Sequence, residues 1–128
     1  MTKILCDSDF LVALLIEEDS NHTKAIEILQ QNIACKFIYS NLTKYELMTV
    51  LSRKLPQNIA VQAFELFQKT FVDEFIFDRK LELQIIEFYK KSKNKNQSFF
   101  DIACLFLAED YNCKIASFDK FYPTEILV

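Results

Sequence analysis

Short apolar runs alternate with longer helical patterns along this chain, and the alternation constrains its fold more than any other feature. Five runs are predicted strands: residues 3–6 (KILC), 36–40 (KFIYS), 74–77 (EFIF), 113–117 (CKIAS) and, with the weakest pattern, 125–128 (EILV). Strands that alternate with helices favour a parallel sheet with helices on both faces. The sequence therefore predicts a three-layer α/β/α fold with a mainly parallel sheet of four to five strands.

Helical patterns fill the intervals between these runs. Apolar residues recur at helical spacing in six segments: 10–18, 22–32, 44–55, 59–71, 79–93 and 99–111. Pro56 should end the third helix, while Asn58 and Asp78 are the expected N-caps of the fourth and fifth. The chain has 128 residues and contains neither a repeat nor a linker, so we expect one domain over residues 1–128.

Composition excludes several classes of function. The chain has no glycine, which rules out the glycine-rich phosphate loops of P-loop and Rossmann proteins. The four cysteines lie far apart in apolar runs and lack zinc-ligand spacing, which predicts buried thiols in a reducing cytosol. Neither a signal peptide nor a membrane-spanning apolar stretch is apparent, so we expect a cytoplasmic protein without membrane contact. A formal net charge of −3 does not indicate a strongly basic nucleic-acid-binding surface.

Four acidic residues fall where ligand sites form in folds of this kind. Asp7 and Asp119 each end a predicted strand. Glu46 is expected in the first turn of the helix after the second strand, and Asp101 in the first turn of the helix before the fourth. Because strand carboxyl ends and helix N-termini meet at one edge of a parallel sheet, we expect these carboxylates to converge there.

Each acid also has a purely structural explanation. Residues 43–46 (TKYE) have the pattern of a capping box with Thr43 as N-cap, and residues 98–101 (SFFD) have nearly the same pattern. Asp7 could itself cap a helix, and Asp119 could occupy a turn. Taken one at a time, the acids do not distinguish capping from chemistry.

Convergence of the four carboxylates would have an electrostatic consequence. Like charges ~4 Å apart repel by several kcal/mol at an effective dielectric constant near 20. Such a cluster either raises carboxyl pKa values or binds a divalent cation. Oxygen ligands without nearby His or Cys favour Mg²⁺ or Mn²⁺. Two such ions can activate a water molecule and stabilise the leaving oxygen in phosphodiester cleavage.

Several motifs and their spacing resemble the PIN-domain family. They are ILCDSDFLVALL (4–15), DSNHTKAIEIL (19–29), NLTKYELMTVLSRK (41–54) and SFFDIACLFLAEDYNCKIASFDKF (98–121). The resemblance covers nearly the whole chain. It implies a metal-dependent ribonuclease, of the kind found as VapC-type toxins in type II toxin–antitoxin modules.

The resemblance also implies roles for individual residues. The catalytic acids would be Asp7, Glu46, Asp101 and Asp119, of which Asp7, Asp101 and Asp119 would bind Mg²⁺ (or Mn²⁺). Ser117 occupies the place of a Ser or Thr before the last acid, in a supporting role. Asp9 departs from the pattern, which more often has Asn, Ser or Thr there, and could support metal binding or cap the helix.

Partners follow from the same resemblance. It implies an RNA substrate, a small antitoxin that offers a Lys or Arg to the acidic edge, and a homodimer. Residues 10–18 and 59–71 could supply the C₂ surface of such a dimer, or they could simply be core.

Two further features have both a structural and a functional interpretation. Residues 90–97 (KKSKNKNQ) form either a solvated helix end or an RNA-contacting segment with four lysines: Lys90, Lys91, Lys93 and Lys95. His22 is the only histidine and has no apparent catalytic partner, so we expect it to hold the start of its helix.

Other functions remain open at this point. Haloacid-dehalogenase-like phosphatases also place D-x-D after the first strand, with Asp7 as nucleophile and Asp9 as acid. They need a downstream Lys and a further acidic pair, for which FDK (118–120) is a poor match, and the chain is short for that fold. A non-enzymatic alternative is a degenerate PIN domain that acts as a binding module.

Overall fold

The computed structural model describes residues 2–93 and 97–128. Its four strands are β1 (Lys3–Cys6), β2 (Lys36–Ser40), β3 (Glu74–Phe75) and β4 (Lys114–Ala116). Six helices accompany them: α1 (Ser8–Leu15), α2 (His22–Gln31), α3 (Asn41–Lys54), α4 (Gln57–Thr70), α5 (Arg79–Lys91) and α6 (Phe99–Asp110). A short 3₁₀ helix spans Thr124–Ile126.

The sheet has the strand order β3-β2-β1-β4 and every pairing is parallel. Alternate residues of β1 face opposite sides, because side chains in a strand point alternately to the two faces. Ile4 and Cys6 belong to a core formed with helices α1–α4, while Leu5 belongs to a second core formed with α5 and α6. The predicted three-layer architecture with a parallel sheet is confirmed.

The sheet is smaller than the strand patterns predicted. The prediction of a strand at 125–128 is wrong: Thr124–Ile126 is a 3₁₀ helix, and Leu127 forms only a single parallel bridge with Ile115. β3 is also shorter than predicted and stops at Phe75. The N–H of Phe77 donates instead to the side-chain oxygen of Asn41 at 2.7 Å, which takes that donor out of the sheet.

Helix ends agree with prediction where the capping signal is unambiguous. Asp78 caps α5 and accepts a hydrogen bond from the N–H of Leu81 at 2.9 Å. α3 ends at Lys54, two residues before Pro56. The prediction that Asn58 caps α4 is wrong, because the helix already begins at Gln57 with Pro56 in the N-cap position.

A side-chain hydrogen bond from His22 joins the first two helices. Its Nδ1 donates to the carbonyl oxygen of Ala13 at 2.7 Å, which ties the start of α2 to α1 as expected. α1 itself is a core helix, with Phe10 and Leu11 fully buried. Of the two segments predicted for a dimer surface, α4 therefore keeps the exposed apolar side chains: Ile59, Val61 and Leu66.

The four thiols are free. Those of Cys6, Cys104 and Cys113 are buried, as predicted, whereas Cys35 is only half-buried, so the prediction is wrong for that thiol. Within the part of the chain that the structure describes, every helix is too short or too polar to cross a membrane.

Candidate active site

The parallel sheet brings three chain segments to its carboxyl edge. Asp7 follows β1 directly, and its N–H donates to the carbonyl oxygen of Ala116 in β4 at 3.0 Å. That bond places Asp7 beside Ser117, the residue after β4. α3 begins directly after β2 and carries Glu46 towards the same place.

Asp7 lies at the centre of this edge and is only 4 % exposed. Its Oδ1 accepts from the N–H of Ser8 at 2.9 Å, so Asp7 is also the N-cap of α1. Its Oδ2 accepts from the hydroxyls of Ser117 at 2.9 Å and Tyr122 at 3.2 Å. The thiol of Cys104 lies 3.9 Å from Oδ1. Capping and site geometry therefore coincide in one carboxylate.

The electrostatic state of Asp7 reflects its burial. Loss of hydration raises its pKa to about 7, and the nearby charge of Asp9 acts in the same direction. Hydrogen bonds from Ser117 and Ser8 oppose that rise, because they stabilise the ionised form. A nearby positive charge would therefore stabilise the ionised form of Asp7 near neutral pH.

Asp9 is the second residue of α1 and turns towards the segment after β4. Its two oxygens lie 3.2 and 3.1 Å from the N–H of Phe118 and 3.2 and 3.3 Å from the hydroxyl of Ser117. Burial raises the pKa of Asp9 above its ordinary value, and these hydrogen bonds only partly oppose that rise. Asp9 therefore connects α1 to the segment after β4, and it does not cap its own helix, a role held by Asp7.

Ser117 is the shared neighbour of these acids. Its hydroxyl has one proton but faces both Asp7 and Asp9, and its oxygen accepts from the N–H of Asp119 at 3.0 Å. Ser117 can donate its one proton to only one of the two carboxylates at a time, so Asp7 and Asp9 share this donor in addition to their other donors.

Glu46 occupies a different helical position from the one predicted. Ser40 caps α3 and accepts from the N–H of Thr43 at 3.3 Å, so the predicted capping box with Thr43 as N-cap is wrong. Glu46 consequently lies in the second turn rather than the first. Its Oε1 accepts a hydrogen bond from the hydroxyl of Ser8. Burial and then the charge of Asp101 raise its pKa.

Asp101 and Asp119 complete the acidic edge. Ser98 caps α6 and accepts from the N–H of Asp101 at 3.2 Å, as predicted for this capping box. Burial and then the charge of Asp119 raise the pKa of Asp101. The Oδ1 of Asp119 accepts from the N–H of Phe121 at 2.9 Å, which closes the expected turn.

The four predicted acids influence one another electrostatically. The charge of Asp101 raises the pKa of both Asp7 and Glu46, and the charge of Asp119 raises that of Asp101. Among residues 2–93 and 97–128, the ion pairs join other residues: Lys36 with Asp73, Lys44 with Glu74, and Lys90 with Glu87. The repulsion at the acidic edge is therefore not neutralised by a described lysine or arginine.

Among the described residues, the acids are nevertheless not grouped as a preformed metal site. Over the described ranges, no three Asp, Glu, His or Cys side chains are grouped closely enough to hold a metal ion. The prediction that Asp7, Glu46, Asp101 and Asp119 share one or two cations stays a prediction, and Glu46 and Asp119 each accept a hydrogen bond from a nearby protein donor. The donor chemistry, carboxylate and hydroxyl oxygens, still fits a hard divalent cation.

The basic segment is only partly described. Lys90 pairs with Glu87 at 2.8 Å in the last turn of α5, which agrees with the structural interpretation for that residue. Lys91 ends α5 and Lys93 follows it, both exposed. Lys95 lies outside the described residues, so the prediction for it stays a prediction.

Sequence reasoning missed three side chains that contact the acids: Ser8, Cys104 and Tyr122. Ser8 had a signal, since it lies between two acids at a helix start. Cys104 and Tyr122 had none, because each is an apolar-looking residue whose contact with Asp7 spans about a hundred positions.

Comparisons with known proteins agree with this architecture. The PIN-domain family matches residues 4–122 of the chain. A search of curated proteins finds no match.

The solved structures that are similar to this chain include three of low sequence identity. VapC20 of Mycobacterium tuberculosis, a toxin that cleaves the sarcin-ricin loop, superposes with a TM-score of 0.82 at 22% identity, covering 98% of this chain and 96% of that one. VapBC2 from Rickettsia felis, bound to a promoter DNA fragment, gives 0.69 at 13% identity, with 92% and 89% covered. FitAcB from Neisseria gonorrhoeae gives 0.67 at 18% identity, with 91% and 87% covered. At these identities the likeness concerns the fold.

Proposed function

The chain belongs to the PIN-domain family, and from that premise we propose that it is a metal-dependent endoribonuclease, the toxin of a toxin–antitoxin pair. One observation supports this most strongly. The coupled acids Asp7, Glu46, Asp101 and Asp119 meet at the carboxyl edge of the sheet without a described cationic partner. Acids that only cap helices would not have to lie close enough to change one another's pKa, because each cap acts on its own helix.

The acids divide into two roles in this proposal. Asp7, Asp101 and Asp119 would hold Mg²⁺ or Mn²⁺, and Asp9 and Ser117 would support them. The chemistry that such an ion would supply is a lowered pKa for a water molecule that attacks phosphorus. Glu46, whose pKa burial raises, can accept the proton of the attacking water more effectively than an ordinary carboxylate. No covalent intermediate is formed, and the new RNA end carries a 5′ phosphate.

The substrate is RNA in this proposal. The similar protein VapC20 is a toxin that cleaves the sarcin-ricin loop, an RNA element, which supports the same substrate class here. Lys91, Lys93 and Lys95 follow in the segment that leads to α6, and we propose that they contact the phosphate backbone. Lys90 takes part more weakly, because its ammonium is paired with Glu87.

Restraint of this activity requires partners. We propose a small antitoxin whose Lys or Arg approaches the acidic edge, because an uncompensated cluster of carboxylates attracts a basic segment. We also propose a homodimer through α4, where Leu66 is 57% exposed and where Ile59 and Val61 are also exposed.

Neither alternative function is favoured by a structural observation. The phosphatase alternative needs a downstream Lys and a further acidic pair, for which residues 118–120 are a poor match, and the PIN-domain family instead matches residues 4–122. A degenerate binding module would have lost acids from the set, whereas all four are present and coupled.

Cleavage of RNA by the purified chain in Mn²⁺, and its loss in chelator, tests the proposal. Asp7→Asn and Asp101→Asn should each abolish cleavage and keep the fold, since asparagine preserves both shape and capping. Asp78→Asn is the matched control, because Asp78 also caps a helix after a strand but contacts none of the four acids in the described contacts. Full activity of both site variants, in protein freed of host nuclease, would exclude this mechanism.

A further inference from the structure

We propose that Tyr122 is a positioning residue: its hydroxyl orients the Asp7 carboxylate and thereby sets the affinity of the site for its divalent cation. This inference rests on the proposed function. Tyr122 touches no reacting atom and acts only through Asp7.

The contact is specific and enclosed. Tyr122 is 2% exposed, and its hydroxyl lies 3.2 Å from Oδ2 of Asp7 and 3.5 Å from the backbone carbonyl of Asp101. The phenol has one proton, and the shorter contact leads to a carboxylate. Hydrogen bonds to a charged acceptor are about twice as strong as those between neutral groups, so the proton is directed to Asp7.

The same turn that positions Asp119 also delivers Tyr122. Oδ1 of Asp119 accepts from the N–H of Phe121, which bends the chain after β4 back towards the sheet. The ring of Tyr122 packs at 5.2 Å from the ring of Phe121 and belongs to the core formed with α5 and α6. The hydroxyl is therefore held by a buried ring and has no freedom to leave Asp7.

Ser117 cannot replace this hydroxyl. Its single proton faces both Asp7 and Asp9, at 2.9 and 3.2 Å. In the described contacts, Tyr122 faces only Asp7 among the carboxylates. Hydrogen bonds that orient metal-binding side chains typically change metal affinity or activity by about 10–100-fold when they are removed. We expect a change of that size in the affinity for the cation when Tyr122→Phe removes the hydroxyl.

The test compares Tyr122→Phe with Tyr39→Phe by titration calorimetry with Mn²⁺ alone. Both residues are buried tyrosines with a bonded hydroxyl, but Tyr39 donates to the carbonyl of Phe71 at 3.0 Å, away from the acids. Tyr122→Phe should raise the Kd for Mn²⁺ by about 10-fold or more. Tyr39→Phe should leave it within about 2-fold, even though it loses a comparable hydrogen bond.

Three outcomes of this comparison would overturn the inference, and they differ in what they say about the proposed function. An unchanged Kd in Tyr122→Phe, with Mn²⁺ binding intact in the wild type, overturns the role of Tyr122 and leaves the proposed function standing. A wild-type chain that binds no Mn²⁺ overturns the proposed function, and this inference with it. An equal loss of affinity in both variants also overturns it, because the effect would then belong to the core in general.

If Tyr122→Phe folds poorly, a double variant that also carries Asp7→Asn provides a second test of the hydroxyl. An amide oxygen at position 7 carries no charge and accepts a weaker hydrogen bond from the phenol than a carboxylate does. If the hydroxyl acts through the charge of Asp7, Tyr122→Phe should lower the unfolding temperature less in the Asp7→Asn background than in the wild type. If Tyr122→Phe lowers the unfolding temperature equally in both backgrounds, the hydroxyl serves the fold, and the inference fails.

Discussion

The hydroxyl of Ser8 donates a hydrogen bond to Oε1 of Glu46, which joins the first residue of α1 to the second turn of α3. The two residues are 38 positions apart in the sequence. Ser8 directly follows Asp7, so the same short segment contacts two of the four acids. Glu46 is thereby oriented by α1, while its own helix is capped by Ser40.

Substitution of Ser8 by alanine should uncouple Glu46 from α1. The Ser8 hydrogen bond lowers the pKa of Glu46, so its removal moves that pKa further upward. The acidic limb of the pH–rate profile should shift to higher pH, and kcat should fall about 10-fold. Unfolding in urea should show a loss of about 1 kcal/mol. Ser8→Thr keeps the hydroxyl and serves as the control; a profile unchanged in Ser8→Ala would contradict the assigned role.

Asp7→Asn should stabilise the metal-free protein in a pH-dependent way. The folded pKa of about 7 exceeds the ordinary value of 3.8, so between these values the folded state binds more protons than the unfolded state. The free energy of unfolding of the wild type therefore falls as pH rises through this window, and asparagine removes that loss. The advantage of Asp7→Asn should grow by about 3 kcal/mol between pH 5 and pH 8, because one pKa unit is worth about 1.4 kcal/mol.

Urea unfolding in chelator at both pH values measures this advantage. Asp78→Asn, at an exposed N-cap, should show no comparable change with pH and is the control. An advantage that is constant between pH 5 and pH 8 would mean that Asp7 is not a buried carboxylate with a raised pKa.

Ser117→Ala should lower activity, and Ser117→Thr should retain it. Alanine leaves Asp7 and Asp9 without their shared donor and leaves the N–H of Asp119 without its acceptor. Threonine keeps both functions of the hydroxyl. We expect a loss of about 10–100-fold in kcat for alanine and a loss several times smaller for threonine. Equal rates for the two variants, measured on the same RNA, would show that the hydroxyl is not what matters at this position.

Removal of the carboxylate of Glu46 should cost little stability, because Ser40 caps α3. Glu46→Gln should change the free energy of unfolding by less than about 0.5 kcal/mol, whereas Ser40→Ala should cost about 1 kcal/mol. Activity should show the reverse order, with Glu46→Gln the more damaging. A large loss of stability in Glu46→Gln would restore the capping role that residues 43–46 suggested.

Local patterns predicted most helices and strands, together with the strand ends at which Asp7 and Asp119 lie. Helical and strand periodicities are local signals, and so are caps that join residues three positions apart, such as Asp78 with Leu81 and Ser98 with Asp101. These signals placed Asp7 after β1 and Asp119 after β4, because the position of a residue at a strand end depends on its immediate neighbours.

Competing local signals and contacts between distant residues were resolved by tertiary packing. Two hydroxyls could cap α3, and Ser40 does so because β2 ends there, which moves Glu46 into the second turn. Residues 125–128 carry a strand pattern, yet the first two of them lie in a 3₁₀ helix. Tyr122 reaches Asp7 across 115 positions. Contacts of that span arise from the packing of the sheet against α6, and no local pattern in a single sequence records them.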